Sequence, residues 1–203
     1  MTEEKSNPNK KSINEFLDSF IEASERKRIT MLPILEKRVN ELLELGTELM
    51  SVFDPEACDW APGCVLQLIH KTDENFIKNI LHCDDLAWFT ASSEVGYDYS
   101  SLQEYLLKEE YEEADRFTSS KLRELAGEKA VKRGYVYFSE VASIPGIDLA
   151  TLDKLWIIYS KGKFGFTVQA KILDSLGWRY DKLWPRIGWK KGGIWTRYPK
   201  AFN

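Results

Sequence analysis

The sequence predicts an all-α protein, on three observations. Apolar residues recur at a helical period along almost the whole chain. Capping and terminating residues bracket those periodic segments. A single stretch, Gly134 to Val141 (GYVYFSEV), has strand character, and one short strand has nothing to pair with.

The elements follow in order. Met1 to Lys11 is polar, charged and poor in apolar side chains, which predicts a disordered tail over 1–11. Ser12 to about Arg28 reads as an amphipathic helix. Ile13, Phe16, Leu17 and Phe20 form its stripe, and Ser12 with Glu15 makes a capping box. A longer helix runs from Pro33, at a first turn, to about Phe53, with Ile34, Leu35, Val39, Leu42, Leu43, Leu49 and Met50 inward. Asp54-Pro55 ends it. Val65 to Ile69 and Asn75 to Leu81 read as shorter helices, and Thr90 to Asp98 (TASSEVGYD) as a linker.

Beyond it, Ser101 and Glu104 cap a short helix. A second runs from about Glu110 with Ala114, Phe117, Leu122 and Leu125 inside and Gly127 at its end. Asp148 is expected to cap a third helix, with Leu149, Leu152, Leu155, Trp156 and Tyr159 on its stripe. Gly162 closes that helix, and a fourth spans about Phe166 to Leu176. The reading divides the chain into a tail, a helical accessory domain over 12–92 and a second helical domain over 96–203.

Composition narrows the function. A chain of 203 residues, 43% hydrophobic and 30% charged, is an ordinary globular protein. No window approaches ~18 consecutive apolar residues, and the N-terminus lacks a secretory pattern, so the protein is expected to work where it is made or after removal of a targeting sequence. Cys58, Cys64 and Cys83 match no zinc spacing, and buried thiols are the plain reading despite His70 and His82 nearby. There is no nucleophile–base arrangement, and Gly162-Lys-Phe-Gly lacks the strand and spacing of a phosphate loop, so no enzymatic role is expected. Charge is uneven. Thr151 to Asn203 holds eleven basic against three acidic residues, and five of the seven tryptophans. A cationic, aromatic-rich segment suits an anionic partner with a flat apolar face, either nucleic acid or an anionic aromatic cofactor.

Pro145-Gly-Ile-Asp-Leu, Leu152-Asp-Lys-Leu-Trp156 and Ser160-Lys-Gly-Lys-Phe-Gly-Phe-Thr-Val-Gln169 follow one another, and then the tract Leu183-Trp-Pro-Arg-Ile-Gly-Trp-Lys-Lys-Gly-Gly-Ile-Trp-Thr-Arg-Tyr-Pro-Lys-Ala-Phe202. With Tyr99-Ser-Ser-Leu-Gln-Glu-Tyr-Leu and Glu113-Ala-Asp115 upstream, this order closely resembles the genomes-uncoupled-four family, over about residues 96–203. The resemblance implies an all-helical, non-catalytic regulator that binds protoporphyrin IX or Mg-protoporphyrin IX and carries no metal of its own. It implies stimulation of the large porphyrin-binding subunit of magnesium chelatase in chlorophyll synthesis, in a cyanobacterial cytoplasm or plastid stroma. No nucleic-acid partner and at most peripheral membrane contact are expected. A divergent member acting as a protein-interaction module is the competing expectation.

The resemblance places the cupped ligand surface at Phe138, Val141 and Ile144 and at Trp195, Arg197, Tyr198, Lys200 and Phe202. Trp156, Phe164, Phe166, Trp184 and Trp189 read instead as core. Relatives continue past this tract into an Ala-Pro-x-Gly-His-Leu-Pro segment, whereas this sequence stops at Asn203. Residues 1–95 show no visible match to the N-terminal helical-repeat domain of cyanobacterial members and read as an accessory bundle for docking or dimerisation. A tetrapyrrole has two flat apolar faces and two propionates, so its site needs apolar walls and cations. Burying about 300 Å² of ring is worth roughly 7–8 kcal/mol before the cost of association.

Overall fold

The computed structural model of the protein describes residues 11–76 and 91–196. It divides into two compact units, residues 1–90 and 91–203. Both are helical, as the periodicity predicts. The expected tail lies outside the described residues except for Lys11, as does most of the expected Asn75–Leu81 helix.

The N-terminal unit holds α1 (Ile13–Ile21), α2 (Glu25–Lys37), α3 (Val39–Glu44), α4 (Glu48–Ser51) and α5 (Ala61–Thr72). Ser12 and Glu15 form the expected capping box, with the Glu15 amide 3.2 Å from the Ser12 hydroxyl and the Ser12 amide 3.0 Å from the Glu15 carboxylate. Two expectations fail here. The first helix stops at Ile21 and a new one starts after Ser24, because Arg28 turns inward. Arg28 donates to the Phe20 carbonyl at 2.9 Å and pairs with Asp59 at 2.5 Å, its guanidinium 5.2 Å from the Trp60 ring centre. Pro33 lies inside α2 and does not open a helix. It is exposed, as is Ile29, whose carbonyl loses its partner, so water can replace the missing bond. Phe16, Leu17, Phe20, Leu35, Leu42 and Leu49 are buried around α5, which is itself buried from Ala61 to Gln67.

The C-terminal unit holds α6 (Ser100–Leu107), α7 (Tyr111–Ala126), α8 (Glu128–Arg133), α9 (Phe138–Val141), α10 (Gly146–Tyr159), α11 (Phe166–Ser175) and α12 (Tyr180–Arg186). A two-residue antiparallel hairpin follows, β1 (Lys190–Lys191) and β2 (Ile194–Trp195), pairing Lys190 with Trp195. The only strands among the described residues are these. Gly134–Val141, the one stretch with strand character, forms no strand, in keeping with the all-α reading: Glu140 accepts the Tyr137 amide at 2.8 Å and Phe138–Val141 makes a turn of helix. Conversely, Gly192-Gly193 between Lys191 and Ile194 is a hairpin signal, and both glycines have positive φ, 58° and 83°.

The central element is α10, packed against α6 and α11. Leu152, Leu155, Ile158 and Tyr159 are buried, while Trp156 is half-buried against Tyr111 and Phe164 with its Nε1 donating to Thr118 at 3.0 Å. Asp148 is a second correction. It lies within the first turn of α10 and accepts from outside the helix: Ser93 Oγ at 2.5 Å, the Glu94 amide at 3.0 Å and Tyr99 Oη at 2.7 Å. Thr151 donates to the Ser92 carbonyl at 2.7 Å. The segment read as a linker is therefore tied down from Ser92 onward. Small polar residues served as hydrogen-bond partners for a buried carboxylate.

Candidate functional site

The C-terminal unit leaves large aromatic side chains exposed in two stretches. The first runs from α8 to α9 and includes Val131, Tyr135, Tyr137, Phe138 and Val141. Phe138 is 95% exposed, and no residue of α9 is buried. Tyr135 and Tyr137 meet edge-to-face at 5.2 Å, with the Arg133 guanidinium 3.8 Å from the Tyr137 ring centre and 4.8 Å from that of Tyr135. Ile144, three residues past Val141, is 8% exposed, so it underlies this stretch and is not part of its surface.

The second stretch is built by α12 and the hairpin. Trp184 stacks on Trp189, 5.5 Å between centroids and 5° between planes, and touches Tyr180 at 5.8 Å and Trp195 at 5.7 Å. The Trp189 amide donates to the Trp184 carbonyl at 2.9 Å, and the Thr196 amide to the Trp189 carbonyl at 3.0 Å, which sets the hairpin on the end of α12. Trp195 is 56% exposed and Trp178 is 63% exposed. Lys190 Nζ stands 5.5 Å from the centre of the Trp195 ring. A flat, electron-rich surface beside an ammonium group accepts an apolar ring with acidic substituents.

Of the expected ligand residues, Phe138 and Val141 share the exposed face of α9, Trp195 sits in the tryptophan cluster, and Ile144 is buried. Arg197, Tyr198, Lys200 and Phe202 lie outside the described residues. Phe166 and Trp189, read as core, are exposed, the first 39%. The sequence reading also passed over Trp178 and Tyr180. Tyr180 and Trp184 are one helical turn apart, which was the available signal for a shared face. Among the described residues no group of His, Cys, Asp and Glu is arranged to hold a metal, and no helix is long and apolar enough to cross a membrane.

Residues 92–203 match the GUN4-like family, over half the chain. The chain belongs to that family. It is 36% identical over 197 residues to the Ycf53-like protein of Synechocystis sp., covering 95% of this chain and 83% of that one. It is 39% identical over 93 residues to the chloroplastic tetrapyrrole-binding protein of Arabidopsis thaliana, covering 46% of this chain and 35% of that protein. The structure of GUN4 from Chlamydomonas reinhardtii superposes with a TM-score of 0.52 at 39% identity, over 55% of this chain and 73% of that one. The helical GUN4-like domain therefore contains both exposed aromatic stretches. The Synechocystis match also runs through most of the first ninety residues, which corrects the expectation that they lack a counterpart among cyanobacterial relatives.

Proposed function

We propose that this GUN4-like protein binds protoporphyrin IX or Mg-protoporphyrin IX on its exposed aromatic surface and regulates magnesium chelatase without catalysing a step. The carrying observation is that Phe138, Trp189 and Trp195 stand in solvent, the last with the Lys190 ammonium 5.5 Å from its ring centre, in a domain whose Arabidopsis relative is named for tetrapyrrole binding. Each exposed ring forgoes roughly 1.5–3 kcal/mol of burial, and a planar apolar ligand would recover much of it. The residues fit such a group. Phe138, Val141 and Trp195 provide apolar walls, Ile144 backs the first of them, and Lys190 is a cation for a propionate. Tyr198 and Phe202 are proposed as further wall, and Arg197 and Lys200 as further cations. What the ligand supplies is its conjugated ring, and the protein's part is to orient it and exclude water.

The partner in this reading is the large porphyrin-binding subunit of magnesium chelatase, with the protein in a cyanobacterial cytoplasm or plastid stroma. Titration with Mg-protoporphyrin IX should quench tryptophan fluorescence saturably at micromolar ligand and red-shift the ligand's Soret band. A linear, non-saturating response would remove the tetrapyrrole and leave a protein-interaction module as the better account.

A further inference from the structure

The chain between α8 and α9 carries an ion pair that packs no core. Arg133, the last residue of α8, is followed by Gly134 at φ 87°, which turns the chain back over it. The Arg133 Nη2 group donates to the Tyr135 carbonyl at 2.9 Å and pairs with the Glu140 carboxylate. That carboxylate accepts the Tyr137 amide at 2.8 Å, and the Tyr135 phenol bonds the Tyr137 phenol at 3.2 Å. The guanidinium carbon stands 3.8 Å from the Tyr137 ring centre and 4.8 Å from that of Tyr135, and its Nε is buried with no partner. Arg133 and Glu140 are each about four-fifths buried, at 20% and 21% side-chain exposure, inside a loop whose aromatic residues Tyr135, Tyr137 and Phe138 are all exposed.

A buried pair that organises only exposed side chains stabilises no hydrophobic core. Its effect is to restrict one loop to one arrangement. We propose that Arg133 and Glu140 are positioning residues that hold this loop so that Phe138 is presented to the tetrapyrrole, an inference that rests on the reading above. Arg133 is not the propionate's cation, because its charge is already paired with Glu140 and its side chain is only 20% exposed. An arginine suits this geometry better than a lysine, which keeps the charge but has no planar group to set beside the Tyr135 and Tyr137 rings. A loop that adopts the competent arrangement only a tenth of the time binds its ligand about ten-fold more weakly.

The test uses the full chain and Mg-protoporphyrin IX, with Arg133→Gln, Arg133→Lys, Glu140→Gln and the Arg133→Gln/Glu140→Gln double variant. Each single change should weaken binding roughly ten-fold, with the double no worse than either single, because the two act as one unit. Amide exchange in the ligand-free protein should quicken across residues 135–141 and nowhere else, with the melting temperature little changed. A generally structural pair would instead lower the melting temperature and quicken exchange beyond the loop. Unchanged affinity in Arg133→Gln, whether or not the loop exchanges faster, overturns the positioning role. Phe138→Ala is the control for the underlying site. If it loses affinity while the Arg133 variants do not, only the positioning role falls. If it binds as well as wild type, this surface is not the tetrapyrrole site.

Discussion

Asp148 is fully buried, and burial by itself disfavours its charged form. Hydrogen bonds from Ser93, Tyr99 and the Glu94 amide outweigh that penalty and hold its carboxyl below the usual range. Burial, with the bond to Asp148, pushes the Tyr99 phenol well above its ordinary value. A lowered folded pKa means stability that is present above the unfolded value near ~3.9 and is lost as pH falls through the lowered value. Asp148→Asn should therefore cost about 1–3 kcal/mol at pH 7, measured by denaturant unfolding. The gap from wild type should narrow as pH drops below about 4. A gap that stays constant as pH falls further below that value would mean Asp148 is not ionised in the fold. Trp156 and Trp195 form a second contrast. Trp156→Ala should cost roughly 3 kcal/mol, since its ring packs on Tyr111 and Phe164. Trp195→Ala, more than half exposed, should cost under about 1 kcal/mol yet weaken tetrapyrrole binding. Equal losses of stability would return Trp195 to the core.

Between α10 and α11 the chain depends on Gly165, at φ 138° and ψ 158°, a region open in practice only to glycine. A Cβ there would meet Asp153 Oδ1 at 2.6 Å and Ile157 at 3.0 Å. The same Asp153 oxygen accepts the Thr167 amide at 3.1 Å, so a side chain from α10 satisfies one of the open amides of α11. Gly165→Ala combines a forbidden backbone conformation with displacement of that cap. It should lower stability by about 2–4 kcal/mol, read from the melting temperature of the full chain. Gly177→Ala, where a Cβ would meet nothing within 4 Å, should cost less. Similar losses at both positions would show that backbone strain alone, without the Asp153 contact, accounts for the effect.

At the scale of the molecule, the chain divides into two compact units, residues 1–90 and 91–203. Ser93 and Glu94 donate to Asp148 of α10 and the Ser92 carbonyl accepts from Thr151, which places residues 92–98 inside the second unit. Limited proteolysis should leave 92–98 intact in the wild type. In Asp148→Asn the same stretch should become a cleavage site, identified by mass spectrometry of the fragments. Wild-type cleavage within 92–98 ahead of any other position would contradict those bonds. Residues 91–203 expressed alone should give a strongly helical circular dichroism spectrum and a cooperative melt.

Period and caps were legible without coordinates because they act within a turn or two of helix. The Phe16–Phe20 stripe, the Ser12–Glu15 box and the buried face of Leu152, Leu155 and Tyr159 needed no knowledge of neighbours. The ordered aromatic motifs of residues 96–203 carried the family in the same way, through spacing alone. What tertiary structure decided was every role that depends on a distant partner. Asp148 reads as a cap, but its acceptors are spent on residues about fifty positions earlier in the chain. The stretch Thr90–Asp98 reads as a linker because its donors are invisible until that carboxylate is placed beside them. Trp189 and Phe166 read as core because large aromatics in small helical domains mostly are, and only the folded structure shows them facing water. Arg133 and Glu140 stand seven positions apart in the sequence, and the turn at Gly134 makes them a pair. Local propensity is a property of adjacent residues, whereas burial and pairing are properties of the folded whole, and the function proposed for this protein rests on what that whole leaves exposed.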